Sequence, residues 1–469
     1  MNSFQLVIRS IIILAIAIVY AFPSAQTASS QDASKLPNIV FILVDDLGYG
    51  DLGCYGQSIL STPNIDRLAT EGKRFTQFYA GSTVCAPSRC VLMTGKDTGH
   101  CLIRGNGRDN LGPKDLTIPE MLSARGYTCG LFGKWGLGHE GSQGIPTLKG
   151  FQSFFGYLDQ THAHNFFPSF LVRNDARFPL RNIVPGETKE GAGVASQRID
   201  YAPDLILDEA KHFVRDNTKG PFFLMLSINM PHANNEAKEK GMQEIGFGPF
   251  ATFNWPDAEK GFAENIRRMD LAVGQITDLI DGLGLADNTL ILFTSDNGPH
   301  REGGHNDLFF KSSGQLRGSK RDLHEGGIRV PLIARLPNRI EPGTISNHIA
   351  GFHDLFPTLA EITASAQTPK GPGTGISFAP SMLDVTTSSQ NEHEYLYWSF
   401  YEGKKGQAIR FGKWKAIEQP LGSAVRLYDL NNDIHEDDDL ADTQKEIAEK
   451  AMRTMQEAYT PGVGNWKLR

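Results

Sequence analysis

The stretch Pro37-Asn38-Ile39-Val40-Phe41-Ile42-Leu43-Val44-Asp45-Asp46 is an unbroken apolar run that ends in two carboxylates. A β-branched run without alternation reads as a central strand of a parallel sheet, covered on both faces. Gly48, Gly50 and Gly53 follow, so the chain turns directly after the acids. Open α/β sheets bind ligands at the carboxyl ends of their strands, which is where Asp45 and Asp46 fall. Neighbouring strand residues point to opposite faces, so both acids reach one ion only if the backbone leaves strand geometry here. A second buried run, Thr289-Leu290-Ile291-Leu292-Phe293-Thr294-Ser295, ends likewise in Asp296-Asn297-Gly298. Asp-Asp and Asp-Asn-Gly also occur in ordinary turns. Their repetition at two strand ends is what suggests a site of oxygen ligands.

Working outward, strand and helix patterns alternate. Thr62-Pro63-Asn64 opens a helix whose inner face is Ile65, Leu68 and Ala69. A strand over Phe75 to Tyr79 is followed by helix Ile118 to Arg125, strand Tyr127 to Phe132, helix Tyr201 to Val214, strand Pro221 to Ile228 and helix Glu264 to Leu283. His353 to Ile362 is the last helix of this unit. Proline and glycine crowd Ala364 to Pro380, which reads as a linker. Strands over Glu394–Phe400, Gln407–Ile417 and Ala424–Leu430 follow, then a helix from Thr443 to Glu457. The fold expected is α/β: a large, mostly parallel sheet flanked by helices, with a small C-terminal antiparallel sheet plus helix. The expected division is a catalytic unit at 37–363, a linker at 364–390 and a C-terminal subdomain at 391–469. The acidic cluster Glu436 to Asp439 reads as a solvated loop.

The net charge of −7 over 469 residues argues against nucleic acid as a partner. Arg9, the apolar run Ile11 to Phe22 and the small residues after it have the form of a secretory signal peptide over residues 1–28. No later segment is apolar enough to span a bilayer. The expected product is exported, periplasmic or extracellular, without stable membrane insertion once the signal is cleaved. The cysteines are Cys54, Cys85, Cys90, Cys101 and Cys129, an odd set that leaves at least one unpaired or specially used.

Cys85-Ala86-Pro87-Ser88-Arg89-Cys90-Val91-Leu92-Met93-Thr94-Gly95 is the most specific motif. Pro87 suits the first turn of a helix, placing Cys85 at its N-terminus beside an arginine, where negative charge is stabilised. Cys-x-Pro-Ser-Arg with Leu-x-Thr-Gly resembles the signature of the formylglycine-dependent sulfatases of the alkaline-phosphatase-like superfamily. Further blocks fit that family: Gly133-Lys134-Trp135, Pro231-His232, Asp296-Asn297-Gly298, Lys320 before Glu325-Gly326-Gly327, and Leu427-Tyr428-Asp429-Leu430.

The resemblance implies hydrolysis of a sulfate ester. Cys85 is converted by a formylglycine-generating maturation enzyme to 3-oxoalanine, whose hydrate attacks sulfur with one hydroxyl and expels sulfate with the other. Asp45, Asp46, Asp296, Asn297 and the Cys85-derived hydroxyl form an oxygen shell suited to Ca²⁺ or Mg²⁺, and the family usually has Ca²⁺. Arg89 holds the diol, Lys134 and Lys320 bind the sulfate oxygens, and His232 serves the leaving oxygen. The family's pattern has a histidine where this chain has Gly136, with His139 and His164 as candidate replacements. A sulfated carbohydrate is the expected substrate, a small aryl sulfate the alternative, and the aromatic stretch Phe151 to Phe170 the place for specificity. The competing readings are a phosphate or phosphonate ester hydrolase of the same superfamily and a non-catalytic sulfated-glycan binder.

Overall fold

The computed structural model describes residues 36–384, 389–461 and 468, so the expected signal peptide lies outside the described residues. The strands of the main sheet are β1 (Asn38–Asp45), β2 (Lys73–Tyr79), β3 (Thr128–Lys134), β4 (Ser153–Tyr157), β5 (Phe170–Arg173), β6 (Ala176–Pro179), β7 (Phe222–Pro231), β8 (Thr289–Ser295), β9 (Arg329–Arg335), β10 (Thr344–Ser346) and β11 (Ala350–Gly351). Their order is β10-β2-β9-β8-β1-β7-β3-β4-β5-β6, with β11 also on β2. The centre, β8-β1-β7-β3-β4, is parallel. Antiparallel β9 separates β8 from β2.

The expected two-sided burial of β1 is observed. Ile39, Phe41 and Leu43 face one core and Val40, Ile42 and Val44 the other, as a period of two requires. The first core is closed by helices α2 (Cys85–Thr94), α3 (Ile118–Ser123) and α6 (Phe352–Ile362), the second by α1 (Pro63–Thr70), α4 (Ala202–Asp216) and α5 (Asp257–Gly282). Among the described residues no helix is long and apolar enough to cross a membrane.

Strands β12 (Leu396–Phe400), β13 (Gly406–Phe411), β14 (Trp414–Glu418) and β15 (Arg426–Asp429) form a separate antiparallel sheet. Its face of Leu396, Trp398 and Ile417 packs on Tyr79 and Val84 of the large unit. Its other face, with Ile409 and Leu427, is covered by α7 (Lys445–Glu457) through Ala451 and Met455. The segment expected as a linker lies against the large unit: Phe378 is fully buried on Phe75 and Phe78, because its ring has an apolar surface to cover. Glu436, expected in a solvated loop, is also buried. It accepts from Glu325 N at 2.7 Å and lies 3.4 Å from Lys415 Nζ, so a cation and an amide compensate its burial.

Candidate active site

Four adjacent strands deliver the site at their carboxyl ends. β1 ends in Asp45, β8 leads into Asp296, β3 ends in Lys134 and β7 leads into His232. The register of β1 on β7 shifts between Val44 and Asp45, and Asp46 takes a left-handed φ of 67°. That break in strand geometry turns both carboxylates into one place. Asp46 N donates to Asp296 Oδ1 at 3.1 Å, and Asn297 Nδ2 donates to Asp46 Oδ1 at 2.7 Å. Asn297 Oδ1 is buried with no hydrogen-bond partner.

Cys85 is the first residue of α2, and its Sγ lies 3.4 Å from Asp45 Oδ1. One turn on, buried Arg89 donates from Nε to Asp296 Oδ2 at 3.0 Å and from Nη1 to Lys134 O at 2.9 Å and Ser227 Oγ at 2.6 Å. A planar guanidinium, with donors fixed in a fork, thereby ties three strands to the cysteine's helix. Lys134 Nζ is 2.6 Å from Asp45 Oδ2, and Lys320 Nζ is 2.8 Å from Asp46 Oδ2. His232 Nδ1 donates to Ala233 O at 2.7 Å, which leaves Nε2 to accept from Lys320 Nζ at 3.1 Å.

The electrostatics follow from burial set against these neighbours. Burial alone would raise Asp45, but Lys134, His232, Arg89 and Lys320 hold it well below the usual carboxylate range. Asp46 is lowered too, with Lys320 and His232 outweighing its burial. Asp296 is pushed up to about 7 by burial and by the Asp45 charge, against Arg89. Burial and Lys320 bring His232 down to about 3. The Cys85 thiol is pushed well above its ordinary value by burial and by Asp45. The helix terminus expected to favour a thiolate is therefore outweighed, because a desolvated sulfur faces a carboxylate.

Asp45, Asp46, Cys85, Arg89, Lys134, His232, Asp296, Asn297 and Lys320 all meet here. Gly136 has φ 78°, and a Cβ built on it would fall 2.0 Å from Gln160 Nε2, so a glutamine fills this place. His139 turns to Asp159 at 3.1 Å, whereas the His164 ring stacks on His232 with centroids 4.6 Å apart. In the aromatic stretch, Phe151, Phe154, Phe155, Tyr157, Phe166 and Phe170 are buried in packing. Sequence reasoning missed Glu302, which lies 3.1 Å from Lys320 Nζ and 3.6 Å from His232 Nε2. It also missed Ser227, which donates to Lys134 O at 2.6 Å. Glu302 sits in a polar loop that reads as solvated, and Ser227 in a run that reads as core.

A family model described as Sulfatase matches residues 37–365, more than half of the chain. The chain belongs to the sulfatase family. A second model, N-sulphoglucosamine sulphohydrolase C-terminal, matches residues 318–460. Human arylsulfatase A is 33% identical over 428 residues, covering 85% of this chain and 78% of its own. Rat N-acetylgalactosamine-6-sulfatase is 30% identical over 417 residues, covering 84% and 73%. Among solved structures, Ps i-CgsB in complex with a neocarrahexaose aligns with TM-score 0.74 and 27% identity, over 90% of this sulfatase and 92% of that chain.

Proposed function

We propose that this sulfatase hydrolyses a sulfate ester on a carbohydrate, through a nucleophile made from Cys85 by a formylglycine-generating enzyme. One observation carries the reading: a buried cysteine with a suppressed thiolate sits against Asp45, ringed by the lysines and histidine a sulfate ester needs. A thiol held protonated is a poor nucleophile, so the position calls for a different group. As 3-oxoalanine, hydrated, the residue supplies two geminal hydroxyls, one for attack on sulfur and one for release of sulfate.

The donor set fits a hard cation. Asp45, Asp46, Asp296 and Asn297 offer oxygens, and Asn297 Oδ1 is a buried acceptor without a donor. These residues, with the Cys85-derived oxygen, would hold Ca²⁺, or Mg²⁺ in its stead. The ion's chemistry is to acidify the nucleophilic hydroxyl and polarise the sulfuryl oxygens. Arg89 fixes the first turn of α2 and so aims residue 85. Lys134 and Lys320 neutralise charge on the sulfate oxygens. His232, its tautomer set by Ala233 O, presents Nε2 to the leaving oxygen, with Lys320 and Glu302 beside it.

The carbohydrate assignment is supported by the relatives, which include an N-acetylgalactosamine-6-sulfatase and a structure holding a carrageenan fragment. The reading keeps the division into a signal at 1–28, a catalytic unit at 37–363, a connecting segment at 364–390 and a C-terminal subdomain at 391–469. It also keeps export to periplasm or medium. Mass spectrometry of the peptide containing Cys85 tests the nucleophile, expression being in a host that carries the maturation enzyme. Residue 85 should be an aldehyde or its hydrate, and sulfate release should track the converted fraction. An unmodified thiol in fully active enzyme would refute the mechanism.

A further inference from the structure

The buried chemistry is encircled by a polar rim that comes from separate parts of the chain. Asn106 Oδ1 accepts from Ala86 N, next to the nucleophile, at 3.0 Å. Asn106 N in turn donates to Glu402 Oε1 at 2.8 Å. Glu402, just past β12 in the C-terminal sheet, brings its other oxygen to 3.8 Å from Arg321 Nε. Arg321 Nη1 donates to Glu302 Oε1 at 2.7 Å, and Glu302 Oε2 returns to Lys320 Nζ at 3.1 Å and His232 Nε2 at 3.6 Å. The ring therefore closes from the nucleophile's helix to the sulfate lysine and the leaving-group histidine.

Its members differ from the chemical groups in exposure. Lys320 and His232 side chains are 2% and 3% exposed, whereas Arg321 is 45% and Glu402 27% exposed. Arg321 also has φ 73°, a conformation L side chains rarely adopt. It is imposed from both sides: Lys320 N donates to Pro299 O at 2.8 Å and Arg321 N to Thr83 O at 3.0 Å. Backbone strain of this kind persists where a function needs the side chain placed. Here it lets neighbouring residues serve one site, Lys320 pointing inward and Arg321 standing at the mouth.

We infer that Glu302, Arg321 and Glu402 form a clamp that reads free hydroxyls on the sugar carrying the sulfate, and so selects a sulfated carbohydrate over an aryl sulfate. A hydroxyl both donates and accepts, and the rim alternates acceptor, donor and acceptor: carboxylate, guanidinium, carboxylate. A hydroxyl neighbouring the ester can give its proton to Glu302 or Glu402 while accepting from Arg321. An aryl ring offers neither, so a sugar hydroxyl gains bonds at this rim that an aryl sulfate cannot make. Glu402 makes the C-terminal subdomain part of substrate selection. The inference rests on the carbohydrate reading above and adds which residues enforce it.

The test compares kcat/KM for p-nitrophenyl sulfate with that for a panel of monosulfated galactose and N-acetylhexosamines, in the wild-type enzyme and in R321A, R321K and E402Q. E402Q preserves shape, and thermal melting of each variant confirms the fold. For R321A, kcat/KM on the best sugar should fall about a hundredfold or more, and on the aryl sulfate less than tenfold. R321K should recover only part of the loss, since an ammonium cannot reproduce the guanidinium fork. Parallel losses on both substrates would overturn the inference, as the rim would then only position Lys320. Unchanged sugar turnover would overturn it as well. Wild-type enzyme that cleaves the aryl sulfate but no sugar refutes the clamp and the carbohydrate assignment and leaves sulfate-ester hydrolysis standing. Converted enzyme that cleaves no sulfate ester refutes both.

Discussion

Gly136 stands where the family's pattern has a histidine, and the structure allows the cost of changing it to be worked out. Gly136→Ala places a methyl group on a backbone at φ 78°, which costs an L residue about 1–2 kcal/mol. The new Cβ would lie 2.0 Å from Gln160 Nε2 and 2.6 Å from its Cδ, so the glutamine must swing away. In doing so it gives up its bond to Gly136 O, about 1 kcal/mol net. The single substitution should therefore destabilise by about 2–3 kcal/mol. With Gln160→Ala already present only the backbone cost remains, leaving a coupling of about 1 kcal/mol between the two positions. Urea unfolding of the wild type, both single variants and the double variant closes the cycle. Activity adds a second readout. Gly136 lies two residues from Lys134, and displacing that ammonium by about 1 Å is expected to lower kcat/KM roughly a hundredfold. Equal destabilisation by Gly136→Ala in both backgrounds would refute the reasoning, because Gln160 would then not be what occupies the space.

Asn297→Leu removes the unpartnered Oδ1 at nearly constant volume, and calcium titration by calorimetry should show affinity reduced tenfold or more; unchanged affinity would remove Asn297 from the ligand set. Lys415→Met leaves the carboxylates of Glu325 (2.9 Å) and Glu436 (3.4 Å) buried without their shared cation and should cost about 3–5 kcal/mol in denaturant unfolding. His162 donates to Phe170 O at 2.9 Å and is lowered by burial from 6.5 to about 4. Its depressed folded value means that the unfolded chain takes up the proton first, so the stability is complete above pH 6.5 and lost as pH falls towards 4, about 3 kcal/mol in all. His162→Gln should flatten that part of the stability profile between pH 6.5 and 4, and an unchanged slope would exclude this histidine as its source.

The central strands and the residues at their ends were legible because a parallel strand buried on both faces leaves an unbroken apolar run, and a functional side chain stands out where it stops. Asp45-Asp46 and Asp296-Asn297 are such endings, and the need for a backbone break beside them follows from the side-chain period alone. What stayed illegible depends on contacts between residues distant in the chain. Antiparallel β9 looks like any buried strand until its partners are known. Glu436 looks solvated because its neighbours are acidic, yet Lys415 and the amide of Glu325 bury it. Gln160, Glu302 and Glu402 read as loop polar residues, and only the fold brings them to Gly136, Lys320 and Asn106.

The charges of the site argue that cation and sulfate reinforce one another. Buried Asp45, Asp46 and Asp296 are matched by buried Arg89, Lys134 and Lys320. Arg89 is paired with Asp296 and bonded to the backbone of Lys134. Lys134 rests on Asp45 at 2.6 Å, and Lys320 on Asp46 at 2.8 Å and on Glu302 at 3.1 Å. Ammonium groups that face the sulfate oxygens must loosen these contacts, and buried carboxylates left without a counter-charge are costly. Asp45 and Asp46 would be compensated by a divalent cation held on them, which would free Lys134 and Lys320 for the anion. By linkage, whatever the cation contributes to sulfate affinity, sulfate returns to cation affinity. The pairing of each lysine with a buried carboxylate is thus the physical reason that the pocket can balance its own charges and still receive an anion.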